Sequence, residues 1–193
     1  MLAVQNPPRK RWTRAEYERL EAAGIFDQQR VELIEGELID KLAKTRREIV
    51  ASSMMIGWLL EVFGAKRWSY AAPVDIAPED NPRNQPQPDM ISLTRECSET
   101  RYWTNAPQPQ DLDLVVEIAD TSLAFDLTIK AALCTRAGFV EFWVLDVPGR
   151  RLIVHGDPEN GQYGSVIAYN EHENLAPLAA PNSTFQAQTV FPK

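Results

Sequence analysis

Two carboxylates stand where a folded chain would not leave them unpaired. Asp89 follows Pro88 and opens the short apolar run Met90–Leu93; Glu117 lies near the end of LDLVVEI, residues 112–118. An ionised carboxylate in an apolar strand is costly unless it is paired or bound to a cation. Two such groups on neighbouring strands could share one Mg²⁺, a hard ion that prefers oxygen ligands and keeps several waters. That arrangement positions a water and neutralises charge on a phosphate. The plainer alternative is that Glu117 pairs with an arginine and Asp89 caps a turn. Lys130 stands four residues after Asp126. It is either a solvent-facing partner of Asp126, worth ~0.3–0.5 kcal/mol, or an ammonium that orients an attacking water and offsets charge in the transition state.

Other candidates are weaker. His155 and His172 are the 2 histidines, too few for a multi-histidine zinc site, and no cysteine pair lies near either. Asp111 and Asp113 read more naturally as turn residues leading into a strand than as ligands. Gly36, Gly57 and Gly64 form no phosphate-cradling loop. Tyr102 and Trp103 could stack on bases or fill a dimer interface, although core packing is the commoner use of such side chains.

The elements that must position these groups follow from caps and periodicity. Thr13 and Glu16 form a capping box with Trp12 and Tyr17 as its hydrophobic staple, predicting a helix to about Ala23 stopped by Gly24. Residues 30–34 and Glu37–Asp40 flank Glu35-Gly36 as a hairpin. Helical spacing of apolar residues predicts a helix over Arg46–Phe63, closed by Gly64. Alternation over 69–76 suggests a half-buried strand, with Pro73 placing it at an edge or bulge. Residues 78–88 are a loop, rich in Pro, Asn and Gln. The run 112–118 has the near-continuous apolar character of a strand covered on both faces. A helix over 123–137, capped by Ser122 and stopped by Gly138, follows. A hairpin of 140–147 with 151–155, a strand over 162–169 and a last strand near 185–190 complete the chain. This order predicts a mixed α/β sheet flanked by helices.

The chain has 193 residues, 44% hydrophobic and 24% charged, within the ordinary globular range and consistent with one domain spanning 1–193. Its core covers about 12–155, with a C-terminal β extension over about 156–193. No apolar run is long enough to span a bilayer. No secretory signal follows the basic Arg9-Lys10-Arg11. Cys97 and Cys134, without metal-ligand spacing, read as reduced thiols, which gives a cytoplasmic expectation. The net charge of −7 argues against a general nucleic-acid coat, since phosphate contacts require basic surface. A local basic rim can still coexist with an acidic remainder, and Lys41, Lys44, Arg46 and Arg47 are the nearest cluster.

The segments RVELIEGELI, QPQPDM, LVVEIADTSL and DLTIKAALCTRAGFVEFWVLD, in this order, resemble the Uma2 family, also called DUF820. The resemblance runs from about Trp12 to about His155. It implies a fold similar to PD-(D/E)XK restriction endonucleases, and hydrolysis of DNA phosphodiesters. By position, Asp89 and Glu117 would hold Mg²⁺ or Mn²⁺ with the backbone carbonyl of Ile118, Lys130 would orient the water, and Glu32 would be a supporting acid. In the simplest motif a lysine stands two residues after the glutamate; here that residue is Ala119, and Lys130 is displaced onto the next helix. Arg46-Arg47-Glu48 stands where family members often carry a histidine. Cutting both strands of DNA implies two catalytic domains, hence a homodimer. The rival readings are a catalytically inactive nucleic-acid-binding or protein-interaction module on the same scaffold, and an enzyme acting on RNA.

Overall fold

A computed structural model describes residues 9–41, 43–97 and 99–191. The Thr13 capping box forms, with Thr13 Oγ1 accepting the Glu16 amide, and starts helix α1 (Arg14–Ala22). Trp12 packs against the cluster of Tyr17, Val31 and Leu33, as the staple requires. A two-stranded hairpin follows, β1 (Val31–Ile34) with β2 (Glu37–Asp40). A second capping box, Thr45 with Glu48, starts the long helix α2 (Arg46–Phe63).

The main sheet has six strands in chain order: β3 (Trp68–Tyr70), β4 (Met90–Leu93), β5 (Leu112–Ala119), β6 (Glu141–Asp146), β7 (Arg151–Glu159) and β8 (Gln162–Asn170). Every neighbouring pair is antiparallel except β5 with β6. That parallel pair needs a crossover, supplied by a helix over 123–137. The crossover is not uniform. An α-turn, α3 (Leu123–Phe125), leads into a π-helical turn at Asp126–Lys130 and then α4 (Ala131–Ala137), with the Ala131 amide reaching back to Asp126 O.

Both faces of the central strands are covered, which explains the unbroken apolar run of β5. Leu114, Val116 and Ile118 pack with Ala51, Met55 and Leu59 of α2 and with Phe185 and Val190. Val115 and Ala119 pack on the other side with Leu133 and Cys134 of α4 and Ile34 of β1. By the period of two, Glu117 shares that second face. Met90 is paired with Val116 and also packs on the α2 side, so Asp89 falls opposite Glu117, on the same face as it.

Three expectations are corrected. The predicted strand over 69–76 pairs only at Trp68–Tyr70. Ala71 takes φ +50°, which breaks the ladder, and Val74 is buried outside any strand, its backbone N–H donating a hydrogen bond to Pro86 O at 3.0 Å. The predicted strand near 185–190 is a single bridge between Leu175 and Phe185 followed by a 3₁₀ turn, Ala187–Val190. Trp103 is not in the core; it is 82% exposed, while Tyr102 packs partly against the core.

Candidate active site

At the ends of β4 and β5 the backbone itself ties the two acids together. The Asp89 amide donates to Glu117 Oε2 at 3.3 Å, and the Ile118 amide donates to Asp89 Oδ2 at 3.0 Å. Both side chains are buried and line a cavity of about 400 Å³ closed by the β2–α2 connection and the start of the crossover helix.

Lys130 reaches this point from the π turn. Its Nζ donates to Glu117 Oε1 at 2.5 Å and lies 2.9 Å from Glu32 Oε1 and 4.0 Å from Asp126 Oδ1. The solvent-facing alternative is thereby excluded: Lys130 is 2% exposed, and Asp126 is its most distant acid. A π turn inserts an extra residue into the helix and is often found where a side chain must be re-aimed. Ala119, two residues after Glu117 and fully buried on the same face, is where the simplest motif has its lysine; the ammonium arrives here from the helix instead.

Glu32 does not lie on a hairpin surface. All four β1 residues are buried, and the segment 85–87 runs beside the strand through paired bonds between Leu33 and Gln85. This brings the Gln87 amide to Glu32 Oε2 at 3.0 Å, leaving Oε1 for Lys130.

Lys41 and Lys44, expected on a basic rim, turn inward. Lys41 Nζ donates to Gln87 O at 2.8 Å and sits 3.5 Å from Asp89 Oδ1 and 3.4 Å from Glu117 Oε2. Lys44 Nζ is 2.9 Å from Asp89 Oδ2. Arg46 and Arg47 remain exposed, with Arg47 Nε 3.6 Å from Asp120. Sequence reasoning misses the inward lysines because lysine is seldom buried; the signal is the surplus of acids that have to be neutralised. Asp126 reads in the sequence as a helix-surface acid, yet it is buried and accepts from Ser122 Oγ at 2.6 Å.

Four buried acids, Glu32, Asp89, Glu117 and Asp126, therefore face three ammonium groups, Lys41, Lys44 and Lys130. Their ionisation divides accordingly. Burial disfavours the charged form of Asp89, but Lys41 and Lys44 outweigh it and hold the carboxyl below the usual range. Burial is likewise outweighed at Glu32, by Lys130 and Lys41. At Glu117 burial prevails over both lysines and pushes the carboxyl up to about 7. Burial raises Asp126 as well, against Lys130. Burial alone would lower Lys130, but Glu117, Glu32 and Asp126 hold it well above the ordinary lysine value.

The remaining acids lie elsewhere. Asp111 pairs with Arg101, and Asp113 with Arg67. His155 is buried between Phe142 and Tyr163, and His172 is exposed beside Glu171 and Gln188. Both cysteines are free. Among the described residues, no helix is long and apolar enough to cross a membrane, and no group of three or more His, Cys, Asp and Glu side chains is arranged to hold a metal.

A mixed sheet with helices on its faces and paired acids at the ends of adjacent strands is the restriction-endonuclease-like α/β class. The chain belongs to the Uma2 family, whose profile, described as "Putative restriction endonuclease", matches residues 14–188. The fold is similar to a crystal structure described as a "putative nuclease belonging to DUF820" from Anabaena variabilis. The TM-score is 0.62 at 15% identity, over 83% of this chain and 89% of that one. No curated protein matches the chain.

Proposed function

We propose that this protein is a metal-dependent endonuclease that hydrolyses DNA phosphodiesters at the cavity built on Asp89, Glu117 and Lys130. The observation that carries this reading is the convergence of the two carboxylates on one sheet face with a buried ammonium held against Glu117. The donor set suits a hard cation: Asp89 Oδ1 and Glu117 Oε2 already flank a positive charge, that of Lys41. Asp89 and Glu117 would hold Mg²⁺ or Mn²⁺ with the backbone carbonyl of Ile118, waters completing the shell, as this ion class prefers. When bound, the ion supplies Lewis acidity and a more acidic water.

The chain's own residues do the rest. Lys130 keeps its proton because three acids surround it, so it presents a fixed positive charge to water and phosphate. Glu32 positions Lys130 through the 2.9 Å contact. Arg30 Nη2 is buried without a hydrogen-bond partner, 3.9 Å from Asp89 Oδ1, and a phosphate oxygen would give it an acceptor. Arg46 and Arg47, exposed at the start of α2, supply the rim for the DNA backbone. A homodimer is the assembly proposed, and the exposed apolar flank of α2 (Ile49, Val50, Met54 and Leu60) supports it, since α2 begins at the cavity.

One observation favours a second reading, a non-catalytic nucleic-acid-binding or interaction module: the three lysines largely neutralise the acids without any metal. Cleavage of supercoiled plasmid, short duplexes and RNA with Mg²⁺ or Mn²⁺ separates the two. Wild type should cut DNA, and Glu117→Gln and Asp89→Asn should each lose on the order of 10²–10³ in rate, as on loss of one preorganised charge. Wild type that binds DNA but cuts nothing under either metal would leave the binding module as the better account.

A further inference from the structure

We propose that Lys41 is an internal counter-ion standing in the cation position between Asp89 and Glu117, so that a divalent ion binds only by displacing it. The inference rests on the metal-dependent reading above and adds a residue that sets the affinity of that site.

Geometry distinguishes Lys41 from its neighbours. Its ammonium faces one oxygen of each acid, Asp89 Oδ1 at 3.5 Å and Glu117 Oε2 at 3.4 Å. Lys44 approaches the opposite Asp89 oxygen, Oδ2, at 2.9 Å, and turns its other contact to a neutral group, Ser52 Oγ at 3.4 Å. Lys130 is locked deeper, between Glu117 and Glu32. The two contacts of Lys41 are long for charged hydrogen bonds, which lie near 2.7–2.9 Å. Its one short bond is to a neutral carbonyl, Gln87 O, at 2.8 Å. Lys41 is thus placed as a bridging cation but held loosely.

It is also free to leave. Lys41 follows the last residue of β2, outside any helix or strand, and its main chain is fixed independently by the bond of its amide to Arg30 O at 2.7 Å. The side chain is 13% exposed against 3% for Lys130, so a rotamer change can carry the ammonium to the cavity mouth without moving the backbone. Charge demands the exchange. Three ammonium groups and the Arg30 guanidinium, 3.9 Å from Asp89, already match the four acids, so a dication would leave the site strongly positive if every lysine stayed. The departing lysine is the one that contacts both ligands. The device keeps the acids neutralised when the site is idle and raises the metal concentration needed to load it.

The test is calorimetry of Mn²⁺ binding to the whole protein at pH 7.5, with thermal melts alongside. Lys41→Met should bind Mn²⁺ at least about ten-fold more tightly than wild type and show a larger Mn²⁺-induced rise in Tm, because ligand binding to the native state stabilises it. Lys41→Arg, which keeps the charge, should stay near wild type. Lys41→Gln retains a donor for Gln87 O and gives the same reading as Lys41→Met if the latter folds poorly. Wild type and Lys41→Met binding equally well would overturn the displacement while leaving the metal reading standing. An equal gain in Lys44→Met would mean a general charge effect and also overturn it. Absence of Mn²⁺ binding in all variants would remove the metal reading, and this inference with it.

Discussion

Lys130→Met deletes the buried ammonium while keeping most of the side-chain volume. In wild type that ammonium lies 2.5 Å from Glu117 Oε1 and 2.9 Å from Glu32 Oε1, with all three side chains at most 3% exposed. Removing one member of a buried ion pair costs roughly 3–5 kcal/mol. Protonation gives an independent figure. Glu117 is already pushed up to about 7, so the newly stranded charge falls on Glu32. Protonating a glutamate of ordinary pKa about 4.3 at pH 7.5 costs about 1.4 kcal/mol for each of roughly three units, or about 4 kcal/mol. At pH 5.5 the same step costs only about 1.6 kcal/mol. The sign follows from linkage. In wild type the depressed Glu32 contributes stability above its unfolded pKa that is lost as pH falls; in the variant its pKa is raised, and stability is lost as pH rises. Urea unfolding followed by tryptophan fluorescence should therefore show a deficit of about 4 kcal/mol at pH 7.5 that shrinks by about 2–3 kcal/mol at pH 5.5. A deficit under about 0.5 kcal/mol at pH 7.5, the size of an ordinary surface change, would refute the buried network. A deficit that does not change with pH would assign the loss to packing rather than charge.

The double variant Arg46→Ala/Arg47→Ala should weaken DNA binding and flatten its salt dependence by about one to two counterions; an unchanged slope in a salt titration removes these residues from the interface. Thr45→Ala should cost about 1 kcal/mol in chemical denaturation, since Thr45 Oγ1 caps α2 and also donates to Asp120 Oδ2 at 2.9 Å. A neutral outcome would show that the cap is replaced by water. Burial holds His155 below its usual value, against its bond with Phe142 O, so the folded state resists protonating it, and stability is lost as pH falls below about 6.5. His155→Phe keeps the aromatic contacts, and the difference between its pH–stability profile and that of wild type should appear only below that pH; parallel profiles would show that His155 titrates alike folded and unfolded.

Much of the scaffold was legible in the chain itself. The capping box at Thr13, the hairpin at Glu35-Gly36 and the strand carrying Glu117 are local facts. They depend on the side chains of a few successive residues and on periods of 3.6 and two. That Asp89 and Glu117 lie on neighbouring strands is an expectation from the chain; that they share a face follows from the register pairing Met90 with Val116, which a period of two within each strand does not fix. Tertiary structure decided what covers each face and which charges meet. A hairpin leaves open whether Glu32 faces solvent or the site, and segment 85–87 beside β1 buries it. Lys41 and Lys44 read as a solvated basic run, yet a surplus of buried acids draws them inward. The π turn that brings Lys130 to Glu117 has no local signature, because it answers to the distance between a helix and a strand. An ion pair between residues 13 or more positions apart is fixed by how the elements pack, and the low dielectric that makes such pairs obligatory exists only once that packing is complete.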